Sequence, residues 1–532
     1  MKIADLHTHP SLKPFQNRNE ANNAFQNIWN GVIGRNSYYR KLNKLIRDQI
    51  KETARDSQSQ LSEFIAGDLQ TGVLVIHPIE RGWFMRPRKK GRRFWKWLMR
   101  LLVNKRKLPY LAASMTGIPL ENANNYIKEA KELKPVNYYD NETFPEYEYI
   151  AAQEKKDATW NHTFELVSDF QGYQKVKNEN KLPLFLSIEG GHALLDIPDG
   201  KMQRKGYHEL SQSEINHLRS SMIGNIERIK GLNNNRSFAK AHTPIYLTLT
   251  HMFQNFLTGH SRTYKTGGKL SPGFADLLDQ KTALNQGLTE LGKEAIDLLL
   301  SNQNGKRILI DVKHLSVKAR KEYYEIAKNL NAPLIGSHIA MAGINDFPEN
   351  PKDTKKDNDE HYFSKWSINF SDEDARIIHK SDGIMGLALH EGRMPGGKAI
   401  KRFKKIKKQI KDGKAVEELL RYEYMKLIIS NVFQIIMAIG EKEAWTRIMI
   451  GSDYDGIMNP FDIYPKSSYF KRFIYDLEKF LTKPTDLVIY KNSEESILSQ
   501  SEFSELMYGF SPKEITEMIA LKNFESFIKR HF

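Results

Sequence analysis

Two histidines stand one residue apart near the start of the chain, His7 and His9 in KIADLHTH. Alternation along an extended strand turns both imidazoles to one face. Five further side chains able to bind a metal or move a proton close short apolar runs: Glu189 in SIEGGH, His251 in LTLTH, His314 in DVKH, His338 in IGSH and Asp453 in GSDYDG. Of the sixteen histidines, seven (His7, His9, His77, His251, His314, His338 and His390) fall at or near the end of such a run, a clustering that random scatter would rarely give. The chain has no cysteine, which excludes disulfides, thiolate zinc sites and cysteine nucleophiles and leaves imidazole and carboxylate as the strong metal ligands.

Two histidines from the first run, one carboxylate whose two oxygens can bridge, and two histidines from neighbouring later runs are enough ligands for two metal ions ~3.5–4 Å apart, each with an open position. Nitrogen and oxygen donors without sulfur favour zinc, with manganese, cobalt or iron as alternatives. On this reading His7, His9, Glu189, His314 and His338 hold two Zn2+ and a hydroxide between the ions is the nucleophile. Asp453 would then carry a proton to a leaving amine, and His251 would stabilise the oxyanion. Structural readings compete: imidazoles hydrogen-bonded inside a core, Asp453 bonding backbone amides in its turn, and His77 and His390 as lining or core residues. Alternation predicts that Lys313, beside His314, faces away.

The elements that must position these groups are legible as eight β-branched runs: 2–9, 72–78, 183–190, 245–251, 308–314, 333–338, 383–390 and 448–453. Amphipathic helices are predicted between several of them, at 289–302, 316–330, 371–381 and 415–440. Strands alternating with helices imply a parallel sheet, and eight units imply an α/β fold of the (β/α)8 TIM-barrel class, in which reactive groups gather at the C-terminal strand ends. A barrel takes ~250 residues, so residues 1–532 read as one barrel with long loop insertions, the largest at 10–71 and 79–182. The polar stretch 349–363 is expected to be mobile.

The formal charge is +16, but the stretch 86–107 alone holds eleven basic residues and no acidic ones, leaving +5 for the rest. With FWKWLMRLLV at its centre it has the composition of a solvated basic loop or of a helix lying on an anionic membrane surface. No apolar run approaches a membrane span and the N-terminus lacks a signal-type apolar core, so a cytoplasmic location is expected, at most peripheral to the membrane. Nucleic acid is not an expected partner, since no platform of stacking aromatics is apparent. A homodimer stays open.

Taken in order, HTH, IEGGHAL, YLTLTH, GLTELGKEAIDLLL, IDVKHLS, PLIGSH, INFSDEDARIIHKSDGIMGLAL, IGSDYDG and GFSPKEITEMIALKNFESF resemble the membrane (renal) dipeptidase family, peptidase family M19 of the amidohydrolase superfamily. The resemblance covers mainly 1–9 and 183–532. It implies a binuclear zinc dipeptidase acting on a small dipeptide-like substrate, with Glu189 bridging, His7 and His9 on one metal, His314 and His338 on the other, Asp453 handling protons and His251 at the scissile carbonyl. Three departures stand out. His9 replaces the family's aspartate, Gln254 its asparagine, and Ile368 precedes Asn369 where the family has the arginine that holds the dipeptide's carboxylate. Two other functions compete: a PHP-type phosphoesterase, suggested by DLHTH, and a membrane-surface scaffold whose site has decayed.

Overall fold

The computed structural model describes all residues except 19–26, 33–39, 42–55, 86–107, 155–161 and 264–277. The basic stretch 86–107 therefore lies outside the described residues. Runs of valine, isoleucine and leucine too short for helices form parallel strands buried on both faces, as a covered parallel sheet requires. These are β1 (Ile3–Thr8), β2 (Leu69–Ile76), β3 (Phe164–Val167), β4 (Leu182–Glu189), β5 (Tyr246–Thr248), β6 (Leu309–Asp311), β7 (Ile335–Ile339), β8 (Ile384–Leu387) and β9 (Ile448–Ile450).

Their order is β1-β2-β4-β5-β6-β7-β8-β9. Closure comes from the chain just past β9, where Thr8 bridges Tyr454 in parallel, Asp453 N donates to His7 O at 2.9 Å and His9 N donates to Tyr454 O at 2.9 Å. The chain is thus a (β/α)8 barrel. β3 stands outside the ring, paired in parallel with the first half of β4. It falls in a region read from the sequence as insertion.

Several of the outer helices begin at side-chain caps. α1 (Phe144–Ala151) covers the ends of β1 and β2, and α2 (Gln212–Ile229) opens with a Ser211 capping box. α3 (Glu290–Leu300) and α4 (Val317–Asn329) start at Thr289 and Ser316, whose side chains accept the N–H three residues on. α5 (Asp372–Lys380) starts at Ser371 in the same way, α6 (Gly397–Lys411) follows β8, and α7 (Glu417–Ile439) ends at Gly440 with φ 76°. No helix among the described residues is long and apolar enough to cross a membrane. The stretch 349–363 is tied down rather than loose: Asp353 accepts from Ser367 N and Oγ, Thr354 caps a short helix, and Phe363 is fully buried.

Buried carboxylates sew strand to strand beneath the site. Asp5 on β1 accepts Ser452 N after β9 at 2.9 Å. Asp311 on β6 accepts Thr248 Oγ1 from β5 at 2.8 Å and Ser337 Oγ from β7 at 2.6 Å. Glu146 on α1 does the same at the rim, accepting Ser11 Oγ at 2.6 Å and His77 N at 3.2 Å, and burial pushes its carboxyl up to about 7. A carboxyl raised on folding binds more protons in the native state than in the unfolded one. Its contribution is complete below the unfolded value and is lost as pH rises toward the folded value, by ~3 kcal/mol for this shift. The fall in unfolding free energy between pH 4.5 and 8, measured by denaturant titration, should therefore be about 3 kcal/mol shallower in Glu146→Gln. Parallel pH profiles for the two proteins would contradict this.

Candidate metal centre

The carboxylate of Glu189, at the C-terminal end of β4, is the hub of the barrel mouth. Its Oε1 lies 3.5 Å from His7 Nε2, 3.4 Å from His314 Nε2 and 3.8 Å from His338 Nε2. Its Oε2 lies 3.4 Å from His9 Nε2, 3.5 Å from His77 Nδ1 and 3.7 Å from His251 Nε2. Asp453 Oδ1 closes the group, 3.9 Å from His7 Nε2 and 3.7 Å from His9 Nε2. The structure thus brings all seven of the sequence-derived site residues to one buried point.

Neighbouring groups fix which imidazole nitrogen faces the pocket. Tyr246 Oη donates to Leu6 O at 2.7 Å, so it must accept from His7 Nδ1 at 2.9 Å, which turns His7 Nε2 toward Glu189; burial opposes a charge on this ring, but the facing Glu189 carboxylate raises it above the usual imidazole range. Ser337 Oγ donates to Asp311, so it accepts from His338 Nδ1 at 2.8 Å and turns His338 Nε2 the same way. His251 Nδ1 donates to Glu80 Oε2 at 2.7 Å. Such outer partners orient imidazoles around metals and raise their basicity.

A metal fits this donor set. His7 and His9 present their Nε2 atoms to each other at 3.1 Å, and His314 and His338 at 3.0 Å. Two ligands ~2.1 Å from one tetrahedral ion stand ~3.4 Å apart, close to these separations. Glu189 Oε1 is buried without a hydrogen-bond partner among the described residues, an arrangement costly for an anion unless a cation meets it. Burial opposes the negative charge, yet the surrounding His251 and His7 charges hold Glu189 well below the usual carboxylate range. Burial also holds His9 down to about 3 and keeps His77, His314 and His338 well below the usual imidazole range, the neutral form a ligand needs.

Asp453 and Asp455 separate cleanly. Asp455 bonds the backbone and Lys13, accepting Gln58 N, Ser59 N, Ser59 Oγ and Lys13 Nζ, the turn-type role weighed for Asp453. Asp453 instead faces the imidazoles from a left-handed backbone position, φ 63°. Burial, reinforced by Glu189, raises its carboxyl well above the ordinary range.

His77, read as lining or core, is a buried lining residue that donates from Nδ1 to Glu189 O at 3.2 Å. Three groups escaped the sequence reading or were placed wrongly by it. Glu80, three residues after His77, holds His251; burial works against its anion, but the facing imidazole holds the carboxyl down to about 2. Lys313 does not face away, because His314 takes φ 68° and breaks the alternation. Its ammonium is buried, donates to Ile368 O at 3.2 Å, and is brought down to about 7 by burial and by Arg393. Arg393, in the loop after β8, acts on Asp453, His251 and Lys313 alike. His390 lies apart, in a turn where its Nδ1 accepts Gly392 N at 2.8 Å.

No protein-family profile matches the sequence, and no curated protein is similar to it at a significant level. Among solved structures the chain is similar to a dipeptidase described as a metallopeptidase of family M19, with 12% identity, 100% of this chain and 98% of that one covered, and a TM-score of 0.44. It is similar to a metallopeptidase from Rhodobacter sphaeroides liganded with a phosphinate mimic of L-Ala-D-Ala, at 13% identity, 100% and 99% coverage and TM-score 0.43. A third is the probable dipeptidase PvdM from Pseudomonas aeruginosa, at 12% identity, 90% coverage of each chain and TM-score 0.45.

Proposed function

We propose that this chain is a binuclear metal-dependent hydrolase that cleaves the amide bond of dipeptides or related small amides. The observation that carries the reading is a single buried carboxylate, Glu189, with imidazole nitrogens on both of its oxygens. His7 and His9 with Glu189 would hold one ion, and His314 and His338 with Glu189 the other; zinc suits the donors best. Bound there, the ions supply Lewis acidity and a water acidic enough to act at neutral pH.

The remaining work belongs to side chains. Asp453, with its raised carboxyl beside His7 and His9, receives a proton at Oδ1 and returns it to the departing amine. His251 is opposed by burial, but Glu189 and Glu80 raise it, so a proton stays on Nε2 and is offered to the carbonyl oxygen as charge develops. The arginine expected before Asn369 is absent, and Asn369 is itself engaged by Ser364 O and Arg393 O. Arg393, whose backbone oxygen accepts from Asn369 Nδ2 and whose guanidinium also donates to Thr263 O, takes over the substrate's carboxylate.

The test is metal-loaded protein against dipeptides with free and with amidated C-termini. Free dipeptides should be cleaved, with about two transition-metal ions per chain by elemental analysis. Arg393→Gln should raise KM for the free dipeptides ~10–100-fold, the worth of a charge-assisted hydrogen bond, while leaving the amidated ones unchanged. Release of phosphate from phosphomonoesters with no amide cleavage would replace this reading with the phosphoesterase one.

A further inference from the structure

α6, between β8 and α7, carries a second basic element of the chain. Its sequence, GKAIKRFKKIKKQIK, has eight cations in fifteen residues and no acid. One face is committed to the fold: Ala399, Phe403 and Ile406 are buried, and the Phe403 ring meets Tyr424 of α7 edge-on at 4.7 Å. The flanks are also engaged, Arg402 with Glu423 at 3.0 Å, Lys407 with Asp462 at 2.7 Å, and Lys398 with Glu495 at 2.9 Å.

The outward face is different. Lys401, Lys404, Lys405, Lys408 and Lys411 are all exposed, and their spacing at three and four residues sets them in one row opposite the buried stripe. No ion pair among the described residues neutralises any of the five. Like charges at this spacing repel and weaken the helix, so an anionic surface brought against the row would relieve that repulsion. A merely solvated helix face usually mixes both signs.

We propose that this lysine row is an adhesion surface for an anionic lipid bilayer. A row of ~15 Å of point charges, with the helix's one arginine, Arg402, set on the flank and paired with Glu423, suits the diffuse negative field of lipid headgroups. Nucleic-acid surfaces add guanidinium forks and stacking rings, which this face lacks. Val416, 70% exposed in the connection from α6 to α7, is an apolar side chain open to solvent. α6 enters from the C-terminal end of β8, the end of the barrel where Glu189 and the histidines converge, and its start is pinned there by Gly396 N donating to Tyr362 O at 2.7 Å. Adhesion would hold the mouth of the site at the lipid surface.

The test uses the full chain, with 86–107 intact, and a variant combining Lys401→Gln, Lys404→Gln, Lys405→Gln and Lys408→Gln. Both are sedimented with vesicles of phosphatidylcholine alone or with 30 mol% phosphatidylserine, about the anionic share that gives a useful surface potential. The parent should partition onto the anionic vesicles and release in high salt, and the variant should partition at least ~100-fold more weakly, from about fivefold per lysine. Hydrolysis of a small soluble substrate should not change, which shows that the variant is folded. Equal partitioning of parent and variant, failure of the parent to bind, or binding of pure phosphatidylcholine to the same extent each overturns the proposal. So does tighter binding of duplex DNA than of anionic vesicles through the same lysines.

Discussion

Glu189→Gln is expected to release both metal ions and abolish amide hydrolysis in a single step. The two oxygens of Glu189 serve opposite halves of the pocket, Oε1 toward His7, His314 and His338, Oε2 toward His9, His77 and His251. A carboxamide has the same shape but offers one acceptor, one donor and no charge. Its NH2 has no lone pair to offer a metal, so the half of the pocket it faces loses its ligand from β4. Neither ion then has an anionic ligand from β4, so metal content after reconstitution should fall from about two per chain toward zero and the rate by ~10³-fold or more. Circular dichroism separates this from unfolding, since Gln removes a buried charge rather than volume and the fold should persist. Parent-like hydrolysis by this variant would show that Glu189 does not bridge.

How much of this site is legible in the sequence follows from two periodicities. Strand alternation pairs His7 with His9, and the barrel rule sends His251, His314, His338, Glu189 and Asp453 to the same end, so convergence can be read without coordinates. The strands themselves are shorter than the apolar runs: β5 stops at Thr248 and β6 at Asp311, and His251 and His314 ride on the irregular chain beyond. There the period fails. Lys313 is misplaced because the left-handed turn at His314 has no sequence marker: no glycine stands there, and histidine, though it enters that conformation more readily than most side chains, usually does not. Glu80, a carboxylate three residues after the β2 histidine, carries a usable signal, but its role depends on a partner 171 residues away. β3 lies within 79–182, read as an insertion, and α6 lies between the run 383–390 and the helix predicted at 415–440, where no element is predicted. The charge on α6 also shows that the basic excess is not confined to 86–107.

Asp453→Asn is expected to keep the metals and lose most of the turnover. The change preserves size, and asparagine tolerates the left-handed backbone of this position as well as aspartate does, so the turn that closes β9 onto β1 is retained. None of His7, His9, Glu189, His314 or His338 is touched, and elemental analysis should still give about two ions per chain. An amide, however, cannot accept a proton at this carbonyl and pass it on. If Asp453 carries the proton between water and amine, kcat should drop by ~10²–10⁴-fold while KM moves little. The pH profile discriminates further. Burial and Glu189 raise the Asp453 carboxyl, so the parent should lose activity on the acid side as this group becomes protonated and can no longer receive a proton. In the variant that acid limb should be displaced or absent from the residual rate. Retained turnover with an unchanged acid limb would assign the proton to another group, and the candidate is His251, whose Nδ1 is already fixed on Glu80.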